Sequence, residues 1–237
     1  MDGVRFTKPV RAVDDIKCLT TDEQQKFMEA AKRSHNYAQY ALILETGLRT
    51  GEVIGLTWDA IDFQNRTLTV NKTLEYRHKQ RFWRAGPPKT QQSYRTIPLT
   101  DRAYEILKEI KDKRPWQKES PLLSQTLEYI DRRTGAISRL VMRDLVFINW
   151  RTGEPAKNSS YDTHLYKLCD EAGIEKFCMH ALRHTYATRA IECGVQPKVL
   201  QKLLGHASIK TTMDRYVYVT SESLDQAVRQ FESGRVS

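Results

Sequence analysis

The 237-residue chain is long enough for one large domain or two small ones with a substantial core. Forty per cent apolar residues place it among folded globular proteins and exclude a disordered chain. Its 38 basic and 29 acidic side chains give a net charge of +9 and a pI near 9.4. This balance favours a polyanionic partner, of which nucleic acid is the simplest.

The cysteines and apolar runs indicate the compartment. The four cysteines, at positions 18, 169, 178 and 193, form no CxxC pair and no tight framework. Free thiols in a reducing compartment are therefore predicted. No secretory signal is evident, and no apolar run approaches the length of a membrane span. We expect a soluble protein of the cytoplasm.

Helix signals dominate the start of the chain. Thr20 and Glu23 have the spacing of a capping box, which predicts a helix start at this point. A second helix is predicted over Tyr37–Thr46, with Gly47 available just after its C terminus. A short helix over residues 52–56 follows.

Residues 61–99 have a different composition. The β-branched, alternating segments 67–70 and 93–97 predict two strands of a small antiparallel sheet. Gly86-Pro87-Pro88 breaks the chain between them, and residues 77–89 are interpreted as a basic connecting arm.

Thr100 is predicted to cap the next helix. The apolar stripe of that helix is Ala103, Ile106, Leu107 and Ile110. Residues 115–143 are interpreted as an added β element, with strands over 127–130 and 136–141 around a turn at 133–135. A strand over 145–148 and a helix over 161–172, stopped by Gly173, are predicted next.

These elements predict a mainly helical α+β fold. Residues 1–19 are interpreted as a linker and residues 20–237 as one domain, with the β insertion at 115–143. Residues 221–237 are predicted to form a C-terminal helix and tail. Its apolar stripe is Leu224, Ala227, Val228 and Phe231.

Three clusters of residues point to chemistry on a phosphate. Arg49 stands in Thr-Gly-Leu-Arg-Thr-Gly-Glu, and Arg183 stands in His-Ala-Leu-Arg-His-Thr. Leu-Leu-Gly-His206 is followed ten residues later by Tyr216, in Thr-Thr-Met-Asp-Arg-Tyr. Together the clusters resemble the tyrosine recombinases, the phage-integrase family, and most closely the integrases of Gram-positive conjugative transposons. Full-length members also carry upstream arm-binding and core-binding domains, which this sequence does not show.

The resemblance implies a site-specific recombinase that integrates and excises a mobile element without metal, ATP or any other cofactor. Tyr216 would attack the scissile phosphate and form a 3′-phosphotyrosine. The usual pKa of a tyrosine is about 10, so an acceptor such as His180 would take its proton. Lys89, in Pro-Lys-Thr before Ser-x-Arg-x-Ile-Pro-Leu, would protonate the leaving 5′ oxygen.

The remaining catalytic residues would bind the phosphate. Arg49 and Arg183 would each present a planar fork to two phosphate oxygens, which a lysine cannot do. His206 would donate a hydrogen bond to it. Glu52 either orients the Arg49 guanidinium or is a plain surface carboxylate.

Two neighbouring residues are interpreted as structural. His180 and His184 have the i, i+4 spacing of a metal pair, but residue 181 is alanine and no third ligand is obvious. No metal site is therefore predicted, and His184 is expected to be a buried structural residue. Tyr218 follows Tyr216 by two residues and would point to a different face of the same helix, since residues i and i+2 diverge by about 200°. It is therefore interpreted as a structural tyrosine.

Double-stranded DNA is the partner that the resemblance implies, bound by a homotetramer with an excision accessory protein as a further partner. The residues expected to contact DNA are Lys72, Arg77, Lys79, Arg84 and Arg95. Residue 72 or 79 is the next choice for the general acid.

Two other functions fit parts of the sequence. Residues 197–204 and 208–212 around a glycine turn resemble a helix-turn-helix regulator, which would need none of Arg49, Lys89 and Tyr216. A type IB topoisomerase would use the same chemistry to relax supercoils. A covalent DNA adduct separates both enzymes from the regulator, and a requirement for two specific sites separates recombinase from topoisomerase.

Overall fold

The computed structural model describes residues 17–87, 90–113, 120–149 and 151–216. Within these ranges the helices are α1 (Thr21–Ala31), α2 (Tyr37–Thr46), α3 (Thr50–Ile54), α4 (Asp101–Lys113), α5 (Pro121–Ser124), α6 (Asn158–Ala172), α7 (Met179–Glu192), α8 (Pro197–Leu204) and α9 (Ile209–Tyr216). The strands are β1 (Ile61–Asp62), β2 (Thr67–Val70), β3 (Thr73–Arg77), β4 (Phe82–Gly86), β5 (Arg95–Pro98), β6 (Thr126–Asp131) and β7 (Ile137–Val141). The predicted α+β class, mainly helical with small sheets, is confirmed.

The first helices begin and end where the local signals predict. The Thr20 hydroxyl accepts from the Glu23 amide at 3.2 Å, and the Glu23 carboxylate accepts from the Thr20 amide at 2.9 Å. Gly47 closes α2 with φ +64°, a left-handed conformation that glycine adopts without strain. α3 lies two residues earlier than predicted.

α2 forms the middle of the fold. It packs against α1, α4 and α7. Tyr40, Leu42 and Ile43 of this helix are fully buried, in a core that extends from α1 to α7 and includes the sheets. A smaller apolar cluster joins α7, α8 and α9 through Ala187, Leu200, Leu204 and Tyr216. The end of α9 is therefore held by packing as well as by its chain connection.

The described residues form two sheets, where a small antiparallel sheet and a separate β hairpin were predicted. The predicted pairing is confirmed in the antiparallel sheet β1-β2-β5, where Leu68 lies opposite Ile97. Residues 77–89 are more than a connecting arm, because they contain β4, which pairs with β3. Trp83 and Ala85 alternate with half-buried residues in β4, and charged neighbours hide this pattern in the sequence.

The β insertion contains the predicted strands and joins the second sheet. β6 and β7 form the predicted hairpin, and β6 adds to β4 in parallel, which gives the four-stranded sheet β3-β4-β6-β7.

The predicted strand over 145–148 is wrong. Only Leu145 makes a bridge, to Thr57, and the segment is a buried non-strand connection. A short apolar run indicates burial but does not distinguish a strand from other buried segments.

The last described helices follow glycine stops. α6 begins three residues before the predicted start and ends at Gly173, with φ +65°. α8 ends at Gly205, with φ +64°, and the Ser208 hydroxyl accepts from the Lys210 amide at the start of α9. The predicted helix over 221–237 lies outside the described residues. Among the helices described, none is both long and apolar enough to cross a membrane.

Candidate functional site

Arg183 is the most deeply buried charge of the site. It lies on α7 with 1% of its surface exposed. Its Nη1 donates to the Gly47 carbonyl at 2.6 Å and its Nη2 to the Leu204 carbonyl at 2.7 Å. Burial, followed by the charge of Arg49, lowers the pKa of Arg183 to about 9. The guanidinium therefore stays charged at neutral pH.

Arg49 approaches the same place from another part of the chain. It immediately precedes α3, and its Nη2 donates to the Gly205 carbonyl at 3.3 Å. Both arginines thus contact consecutive carbonyls at the C terminus of α8, where the helix dipole favours positive charge. The Arg49 side chain is 35% exposed, which leaves part of the guanidinium open to a ligand.

Glu52 holds Arg49 in position. Its buried carboxylate accepts from Arg49 Nη1 at 2.8 Å and from both terminal nitrogens of Arg95, at 3.0 and 2.9 Å. Burial alone would raise the pKa of Glu52. The hydrogen bonds from Arg95 and the charges of Arg95, Arg49 and Arg183 outweigh burial and lower it. Glu52 is therefore an orienting group and not a surface carboxylate.

Arg95, which was predicted to contact DNA, is a buried residue. Its side chain is 6% exposed, and its Nε donates to the Leu203 carbonyl at 2.6 Å. Nη1 donates to the Ser93 carbonyl as well as to Glu52. The guanidinium is engaged inside the protein, because β5 passes directly beneath the end of α8. The sequence motif around Arg95 shows a basic residue but not which way it points.

His206 and Tyr216 lie against each other. The Gly205 turn brings His206 next to α9, where its Nδ1 is 2.9 Å from the Thr212 hydroxyl oxygen. The rings of His206 and Tyr216 are nearly parallel, with centroids 6.3 Å apart. Tyr216 is 3% exposed and lies within electrostatic reach of Arg183. Tyr216, the predicted nucleophile, thus neighbours His206 and Arg183, two of the three predicted phosphate ligands.

The two histidines of α7 continue this row of rings. The ring of His184 lies 5.3 Å from that of Tyr216 and 4.8 Å from that of His180, centroid to centroid. His184 is buried, as expected of a structural residue, and His180 is exposed. His180 therefore lies at the surface end of this row of rings.

A cleft of about 460 Å³ opens beside Arg49 and His206. Its wall combines the ends of α8 and α3 with β3, the turn before β5, the N terminus of α6 and the β6–β7 turn. The lining residues are Arg49, Gly51, Glu52, Thr73, Glu75, Thr90, Ser93, Arg132, Asn158, Gly205, His206, Ala207 and Thr211. Arg132 and Glu75 were not predicted, because no local motif marks them.

Other predicted residues lie away from this cleft or outside the description. Lys89 lies outside the described residues. Lys72 lines a different cavity, of about 970 Å³, between the C terminus of α4 and the end of β7. Lys79 is exposed on the turn between β3 and β4, whereas Arg77 and Arg84 are half-buried on these strands. Their contacts with DNA remain predictions.

The chain matches a known family over most of its length. The family model described as "Phage integrase family" matches residues 17–223. The chain belongs to the phage integrase family. A XerC-like tyrosine recombinase of Caldanaerobacter subterraneus subsp. tengcongensis is 29% identical over 221 residues, which is 90% of this chain and 53% of that protein. The transposase of transposon Tn916 from Enterococcus faecalis is 28% identical over 215 residues, 86% of this chain and 48% of that protein. The chain thus spans about half the length of these curated relatives.

Solved structures share the architecture. The Tn1549 transposon integrase in complex with circular intermediate DNA has a TM-score of 0.71 at 25% identity, covering 91% of this chain and 67% of that chain. The same integrase with transposon right-end DNA gives 0.72 at 25% identity, covering 92% and 68%. XerA recombinase, at 22% identity, has the same fold, with a TM-score of 0.63 over 91% of this chain and 65% of that chain.

Proposed function

We propose that this chain is the catalytic part of a site-specific DNA recombinase that integrates and excises a mobile element. The observation that carries the proposal is the meeting of Arg49, Arg183, His206 and Tyr216 at the end of α8. These residues come from four sequence segments and supply two guanidinium forks, an imidazole and a phenol. The two guanidinium groups and the imidazole can stabilise charge on a phosphodiester, and the phenol can attack its phosphorus.

In the cleavage step, the Tyr216 oxygen bonds to the scissile phosphorus as the bond from phosphorus to the 5′ oxygen breaks. His180 accepts the phenol proton, and Lys89 supplies a proton to the leaving 5′ oxygen. Arg49 and Arg183 neutralise charge that develops on the non-bridging oxygens. Each terminal nitrogen of Arg183 bonds one carbonyl and has a second hydrogen for the phosphate.

Rejoining reverses these steps with a 5′ hydroxyl from another strand as the nucleophile. The phosphotyrosine preserves a phosphodiester-level bond, so no ATP is consumed. Recombination between two sites needs several active sites together, and we propose a homotetramer on double-stranded DNA in the bacterial cytoplasm. The DNA complexes of the Tn1549 integrase support DNA as the substrate.

The first test is the covalent adduct. Tyr216→Phe is expected to abolish the DNA-linked protein and leave DNA affinity nearly unchanged, because only the attacking oxygen is lost. The matched control Tyr218→Phe is expected to retain the adduct. The measurement is denaturing electrophoresis of the protein on nicked suicide duplexes carrying candidate element ends, followed by mass mapping of the linked peptide.

A DNA-linked peptide from the Tyr216→Phe protein would contradict the assignment of the nucleophile. Wild-type protein that binds these duplexes but never forms an adduct would instead favour a regulator. A topoisomerase would form the adduct on single duplexes and relax supercoiled DNA without a second specific site.

A further inference from the structure

Two arginine–glutamate–arginine groups each contribute one arginine and one glutamate to the wall of the cleft. In the first, Glu52 joins Arg49 and Arg95. In the second, the Glu75 carboxylate accepts from Arg77 at 2.6 Å and from Arg132 at 3.2 Å. Each group combines two positive charges with one negative charge, so each has a net charge of about +1 at neutral pH.

Arg132 belongs to the turn of the inserted β6–β7 hairpin and still lines the cleft. Its amide donates to the Ala85 carbonyl at 2.8 Å, which anchors the turn to the end of β4. A Cβ at Gly86 would lie 2.7 Å from the Arg132 Cβ, so glycine is needed for this close approach. The side chain is 16% exposed and donates to Glu75 and, at 3.5 Å, to the Pro87 carbonyl.

This arrangement resembles that of Arg49. In both cases a carboxylate shared with a second arginine orients a guanidinium at the wall of the same cleft. Arg49 is the predicted ligand of the scissile phosphate. Each DNA strand carries one phosphate for about every 3.4 Å of helix axis, so a strand bound in this cleft presents more than one phosphate to its wall.

We propose that Arg132 binds a DNA phosphate next to the phosphate held by Arg49 and Arg183. The inserted hairpin then supplies part of the DNA site and is not only an appendage of the sheet. The inference rests on the proposed function, because it requires DNA in this cleft. Glu75 is a positioning residue in this scheme, since it directs the Arg132 guanidinium and does not itself touch the phosphate.

The test compares two arginines that are adjacent in sequence. Arg132→Gln removes the cleft charge, whereas Arg133→Gln removes the same charge from an exposed position that does not line the cleft. Affinity for a fluorescein-labelled duplex of mixed sequence is measured over a range of salt concentrations. A lost phosphate contact lowers the slope of log affinity against log salt by about 0.9. We expect this change for Arg132→Gln and no change for Arg133→Gln.

Thermal unfolding of each variant separates binding from folding. Arg132→Met, which keeps an unbranched stem beside Gly86, is the second variant if Arg132→Gln does not fold. An unchanged slope in a folded Arg132 variant, or equal changes at both positions, would overturn the proposal. The assay needs only duplex binding. If the wild-type protein never forms the Tyr216 adduct, the proposed function is contradicted. The comparison of the Arg132 and Arg133 variants can still be made.

Discussion

Glu52 decides the orientation of the arginines through four hydrogen bonds. Its carboxylate accepts from the Arg49 amide and Nη1 and from both terminal nitrogens of Arg95. A carboxylate has about four lone-pair sites, so this buried group is fully satisfied. Arg95 in turn bonds the Leu203 carbonyl and so ties Glu52 to the end of α8.

Replacing Glu52 by Gln is expected to destabilise the protein by about 3–5 kcal/mol at neutral pH, because Arg95 is left buried without its counter-ion. Urea unfolding measures this change, and the exposed Glu105→Gln substitution is the control. The rate of adduct formation should fall as well, since Arg49 loses its orienting partner.

The stability of the protein should depend on pH through Glu52. The pKa of Glu52 is lowered in the folded protein, so its contribution is fully present above the unfolded value of about 4.3. The contribution is lost as the pH falls through the lower folded pKa. The wild-type protein should therefore lose stability in acid more steeply than the Glu52→Gln protein. If the free energy of unfolding of the two proteins falls equally steeply as the pH is lowered, the role of Glu52 is contradicted.

At the scale of elements, the C terminus of α8 organises the site. Carbonyls of its last turn and of Gly205 accept from Arg183, Arg95 and Arg49. The left-handed conformation of Gly205 ends the helix and turns the chain towards His206. One helix end therefore sets the positions of three guanidinium groups and one imidazole.

Gly205→Ala and Gly173→Ala form a matched pair, since both glycines have φ near +65° at a helix end. A Cβ at Gly173 meets nothing within 4 Å, whereas a Cβ at Gly205 would lie 3.0 Å from both Arg95 Nη1 and the Ser93 Cα. The left-handed conformation alone costs alanine about 1–2 kcal/mol. We expect only this loss at Gly173, and at Gly205 a larger loss together with slower adduct formation.

The free energy of unfolding from urea titration and single-turnover adduct rates measure the two effects. Equal losses of stability in both variants, with unchanged adduct rates, would mean that the end of α8 tolerates a shift of Arg95 and does not organise the site.

The start of the described chain is attached to α7, the helix that carries Arg183. Leu19 is fully buried, its amide donates to the Thr185 hydroxyl at 3.0 Å, and its carbonyl accepts from Arg189 at 3.1 Å. Leu19 thus packs on α7, although the sequence placed it in a linker. At the other end of the chain, the helix predicted over residues 221–237 is expected to dock on a neighbouring subunit.

Deletion of residues 222–237 tests that expectation. If the stripe from Leu224 to Phe231 docks on a neighbouring protomer, the truncated protein should bind duplex DNA as a monomer but assemble poorly into tetramers. Cleavage should then no longer depend on assembly. Thermal unfolding and sizing of the protein–DNA complex are the measurements, with deletion of residues 235–237 as the control. An unfolded truncated protein would show that the helix packs within its own domain.

The features that local chemistry controls could be predicted from the sequence. The capping box at Thr20, the glycine ends of α2 and α8 and the β2–β5 pairing follow from propensities and periodicity over a few residues. The residue types needed to bind a phosphate and attack it are also visible as motifs. Their clusters predicted which side chains the fold brings together at the end of α8.

The direction and burial of groups whose partners are distant in sequence could not be predicted in this way. Arg95 is internal because Glu52 and Leu203 meet it there, and Arg132 reaches the cleft because β6 adds to β4 in parallel. The apolar run at residues 145–148 is buried without forming a strand. Charge and hydrophobicity are properties of single residues, but burial and pairing depend on contacts between segments, which local patterns do not encode.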